Sequence, residues 1–182
     1  MKPLTLFLFL LVVLLLTMSL EALVPSLAFL GQVHLVFFTI IFCFAALALP
    51  FFGSLFFGFI TGLIEGLLVL EIHGQHVEIR LGWFIIFFML WAFMLQLVSD
   101  ITDGVRWELH SLGAGLCTAT FLLGEFFLLS FSRGNFFITG EVFLLSFLSA
   151  GISLILAPLF YGCVQFWLSP PKQNSTTYLT PL

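Results

Sequence analysis

Two carboxylic acids sit in stretches otherwise built of apolar residues, Gly, Ser and Thr. Glu65 falls within GSLFFGFITGLIEGLL, and Glu125 follows Gly124 in ATFLLGEFFLL. A carboxyl at membrane depth is expensive, and its default reading is functional. It can carry a proton, contact a partner or polar ligand, or hydrogen-bond a neighbouring helix. Glu65 lies near the end of its stretch, so it can also reach the interface, and these readings stay open side by side. Gln96 ends another apolar stretch. No Lys or Arg lies inside any apolar stretch to pair with the two acids.

The other ionisable residues gather in two polar segments. One holds Glu71, His73, His76, Glu78 and Arg80; the other holds Asp100, Asp103, Arg106, Glu108 and His110. Glu71-x-His73 and His73-x-x-His76 have spacings a metal could use. On so short a segment, solvated polar side chains are the simpler reading, and no metal is expected. The chain contains no HExxH, GxSxG or glycine-rich phosphate loop. Catalytic residues and cofactors are therefore not expected, and the chain reads as non-enzymatic. Cys43, Cys117 and Cys163 are isolated thiols without CxxC or Cys/His spacing, and they read as small core residues.

The elements that must position these residues follow from composition. Hydrophobic residues make up 62% of the 182, and charged residues 8%. A soluble domain carries roughly 25% charged residues. This balance excludes a soluble enzyme and a disordered chain. It also excludes a nucleic-acid binder, which needs a basic stripe. The expected fold is all-α, a polytopic membrane helix bundle of about six transmembrane helices with short loops. Apolar runs of spanning length cover about 4–20, 33–49, 51–70, 82–98, 112–131 and 142–168. Leu6–Leu16 is apolar on every side, unlike the alternating strands of a membrane barrel. Residues 1–168 form a single transmembrane domain, with the first helix retained rather than cleaved. Residues 169–182, rich in Pro, Ser and Thr, form a disordered polar tail. A six-span layout places Lys2, Arg106 and Lys172 on one side and Arg80 and Arg133 on the other. This leans toward cytoplasmic N- and C-termini.

Helices in lipid associate through small residues that let backbones approach. Ser54, Gly58, Gly62 and Gly66 recur every four residues on one face of the third span. Gly113, Cys117, Thr120 and Gly124 mark the fifth, and Ser146, Ala150, Ser153 and Ala157 the sixth. These seams predict that spans three, five and six form the tight centre. The fourth span carries Trp83, Phe84, Phe87, Phe88, Trp91 and Phe93 around most of its circumference, which predicts a helix facing lipid or a partner helix. Trp83 and Trp107 are placed as interfacial anchors.

The order of features resembles MreD, the rod shape-determining inner-membrane protein of bacteria. A first apolar helix ends near LEALVPSLAFLG, a second span follows, and then comes the glycine-rich GSLFFGFITGLIEGLL. The MreD third span carries a GF-x-x-GL-x-x-D-L-like stretch, matched here by Gly58-Phe59, Gly62-Leu63 and Glu65. The family acid is usually Asp, four residues after the Gly; Glu65 is three after Gly62. The later GVRWELHSLGAGLCTATFLLGE looks like a divergent branch of that family, found in Verrucomicrobia-like bacteria. The likeness covers about residues 4–168.

The resemblance implies a scaffold of the bacterial cytoplasmic membrane that acts in cell-wall elongation. It implies as partners an MreC-like protein, a RodA-like glycosyltransferase and a penicillin-binding transpeptidase, with the actin-like MreB engaged indirectly. Candidate contact residues are Glu65, Arg106, Trp107 and Glu125. The competing expectation is a membrane subunit that binds a small, vitamin-like molecule for a transporter, with the 71–80 segment at the mouth of its pocket.

Overall fold

The computed structural model describes residues 3–23, 36–68, 71–73, 76–78, 81–102, 107–132 and 140–168. Within them the chain forms α1 (Pro3–Leu23), α2 (Phe38–Ala48), α3 (Phe51–Leu68), α4 (Leu81–Ile101), α5 (Trp107–Ser132) and α6 (Gly140–Leu168). Between α3 and α4 lies an antiparallel hairpin of two three-residue strands, β1 (Glu71–His73) and β2 (His76–Glu78), in the register Glu71↔Glu78. The fold is all-α in its spans, as a chain this apolar requires: in lipid each helix satisfies its own backbone groups. Arg106 and the tail 169–182 lie outside the described residues.

Five helices are long and apolar enough to cross a membrane, over Leu4–Glu21, Phe51–Leu68, Gly82–Ile101, Trp107–Phe131 and Gly140–Phe166. The expected second span differs. Helix α2 has 11 residues, about 16 Å at 1.5 Å per residue, roughly half of a ~30 Å hydrocarbon core. Every residue from Phe38 to Leu47 is buried. An apolar run of this kind reads alike whether lipid or protein surrounds it, so hydropathy alone overstated its length as a span.

The helices alternate in direction. Phe7 near the start of α1 meets Phe56 and Phe57 near the start of α3, and Glu21 and Glu65, near their ends, lie within electrostatic reach of each other. Helices α1 and α3 are therefore parallel, and α2 runs back between them. Gly58 faces Phe88 and Gly62 faces Phe84, so α4 runs against α3. Gly113 meets Leu95 and Gly124 meets Trp83, so α5 runs against α4. Ser111 bonds Leu154 while Thr118 bonds Ser153 and His110 meets Tyr161, so α6 runs against α5. The start of α1 and the end of α6 consequently share one end of the bundle.

Helix α2, rather than spans three, five and six, is the centre, and it touches all five other helices. The most extensive pairings are α3 with α4 and α5 with α6. The glycine face of α3 receives α4. A Cβ at Gly58 would lie 2.8 Å from the Phe88 carbonyl oxygen, and one at Gly62 2.6 Å from Ile85 Cα. Such backbone contact is what small residues permit. It also divides α4 into two sides: Phe84, Phe87, Phe88, Ala92 and Leu95 are buried, while Trp83, Ile86, Leu90 and Phe93 face outward. Aromatic residues around a whole helix do not reveal which side is covered. The buried rings form one cluster, with Phe38, Phe42, Phe84, Phe87, Phe88 and Phe121 joined by centroid distances of 4.9–5.9 Å. Most of these contacts are edge-on or tilted, the geometry aromatic quadrupoles favour.

Candidate functional site

Two prolines create a requirement that the sequence states only indirectly. Proline has no N–H, so the carbonyl four residues before it loses its helical donor. Pro50 leaves Ala46 without one at the end of α2, and Pro158, inside α6, leaves Leu154 without one. An unpaired backbone carbonyl in an apolar interior is destabilising. Each vacancy is filled from a neighbouring helix. The Gln96 amide on α4 donates to the carbonyls of Ala46 and, at 2.8 Å, Leu49. The Ser111 hydroxyl on α5 donates to Leu154 at 2.6 Å. Gln96 and Ser111 thus hold helices together at the points where proline opens the backbone ladder.

Other polar groups cross the interior in the same manner. Thr39 and Thr118 hydroxyls meet at 2.8 Å, and Thr118 also lies 3.1 Å from the Ser153 hydroxyl, so α2, α5 and α6 share one polar chain. Glu21 near the end of α1 accepts the Phe38 backbone N–H at 2.7 Å. It thereby covers a donor that the start of α2 cannot satisfy within its own helix, and it stands at the positive end of that helix. His110, fully buried, has Nε2 at 3.0 Å from the Ile40 carbonyl oxygen.

The sequence candidates fall into different surroundings. Ser54, Gly58, Gly62 and Gly66 are buried on α3. Glu65 is half-buried, and its carboxyl lies within electrostatic reach of Glu125 from α5 and Glu21 from α1. Three acids therefore gather near the end of the bundle where α1, α3 and α5 finish. Glu125 is itself half-buried and engaged in an interaction of its own. Gly113 and Cys117 are buried on α5, and a Cβ at Gly113 would meet the Leu95 side chain at 2.8 Å. Gly124 is half-buried against the Trp83 indole. Thr120 is exposed, so the inward face of α5 runs instead through Ala114, Cys117, Thr118 and Phe121. Ser146, Ala150, Ser153 and Ala157 of α6 are all buried. Trp107 is exposed at the start of α5, and Arg106 beside it lies outside the described residues.

Sequence reasoning missed Glu21, His110 and Ser111. Glu21 carries no local motif, because its partner is 17 residues away. His110 and Ser111 read as polar loop, yet α4 extends to Ile101 and α5 begins at Trp107, which puts both within a helix. The signal that could have found Gln96 and Ser111 was the pair of prolines, each of which demands a foreign donor. Among the described residues no three His, Cys, Asp or Glu side chains are grouped to hold a metal ion. The His73 and His76 side chains, the sequence's candidates for such a site, lie outside the described positions. The chain matches no protein-family profile, no curated protein and no solved structure.

Proposed function

We propose that this chain is a non-enzymatic scaffold of the bacterial cell-wall elongation machinery, similar to MreD. It works in the cytoplasmic membrane with its N- and C-termini on the cytoplasmic side. The observation that carries the reading is the stretch Gly58–Glu65. Of the residues that resemble the MreD third span, Gly58 and Gly62 lie where the α3 backbone approaches that of α4. A scaffold needs a rigid bundle whose outer faces are free for partners. Here the half-buried Gln96 and the buried Ser111, Thr39 and Thr118 side chains bind other helices or one another. The outward aromatic and aliphatic side chains of α4, together with Trp107, offer contact area of the type enriched at protein interfaces. The partners are an MreC-like bitopic protein, a RodA-like glycosyltransferase and a penicillin-binding transpeptidase, with MreB engaged through them.

Depletion of the chain in its native host tests the proposal. Rod-shaped cells should round or swell within a few divisions while continuing to synthesise wall material. Unchanged cell shape on depletion, with loss of uptake of a vitamin-like nutrient, would move the assignment to a substrate-binding transporter subunit.

A further inference from the structure

We draw no further inference here: the strongest candidate, the line of Gly140, Gly151 and Gly162 along the outward side of α6, where an added Cβ would meet nothing within 4 Å, is a stripe of small residues, and nothing in the structure shows what covers it.

Discussion

Replacing Gly62 with Ala adds one methyl group to the most crowded point of the α3–α4 contact. The new Cβ would sit 2.6 Å from Ile85 Cα, 2.6 Å from the Phe84 carbonyl oxygen and 2.7 Å from Ile85 N. All three are backbone atoms, so no side-chain rotation relieves the clash. Ordinary contact begins at 3.4 Å, so the helices must separate by roughly 0.8 Å, which also loosens the Gly58 contact one turn away. Overpacking of this kind destabilises by about 1–3 kcal/mol. The alanine returns up to about 1 kcal/mol through its helix propensity, leaving a net loss of about 0–2 kcal/mol against the unaltered chain and about 1–3 kcal/mol against an alanine control that gains the same propensity. At 2–4 °C per kcal/mol for a chain of this size, the Tm should fall about 2–12 °C below that of the alanine control. The control is Gly151→Ala on α6, where nothing lies within 4 Å of the added Cβ. That change should leave the Tm equal or slightly higher. Thermal unfolding of both variants in one detergent, followed by circular dichroism, decides the matter. If Gly62→Ala melts with or above Gly151→Ala, α3 and α4 are not in backbone contact and the packing account is wrong.

Ser111→Ala should lower stability by about 1–3 kcal/mol, because it strands the Leu154 carbonyl. In a Pro158→Ala background, where an N–H returns to that carbonyl, the same change should be worth less than half as much; equal losses in a double-mutant cycle would show that Ser111 does not serve the proline vacancy. Gln96→Leu removes the donor to Ala46 and Leu49 together and should lower the denaturation midpoint more than Gln165→Leu on the exposed part of α6; similar midpoints would contradict the assigned bonds. Glu21→Gln keeps an oxygen acceptor for the Phe38 N–H and should lose under about 1 kcal/mol, whereas Glu21→Leu should lose about 1–2 kcal/mol. Amide exchange at the start of α2 reads the difference directly, and identical exchange in the two variants would refute the cap.

The six helices are legible as apolar runs because lipid leaves a crossing segment no alternative to internal hydrogen bonding. What the runs conceal is which neighbour each face meets. The Gly58–Gly62 spacing announces close approach, but not that the approaching chain is the aromatic α4. Phe84 and Ile86 are chemically equivalent to a hydropathy scale, yet one is 1% and the other 64% exposed. The same scale gives α2 the character of a span, because an apolar residue against protein looks like one against lipid. The polar interior is harder still. Glu21 finds its partner 17 residues on, Gln96 50 residues back and Ser111 43 residues on. No local pattern encodes such distances. Proline was the exception, since its missing N–H is a property of the residue itself.

Affinity purification of the tagged chain from its native host in mild detergent, with mass-spectrometric identification of what accompanies it, tests the scaffold assignment most directly. The account predicts an MreC-like bitopic protein in near-stoichiometric amount, accompanied by cell-wall synthases. It also predicts that Trp107→Ala weakens this association while the chain remains inserted and folded. Recovery of transporter ATPases together with a tightly held small molecule, and no cell-wall protein, would contradict it.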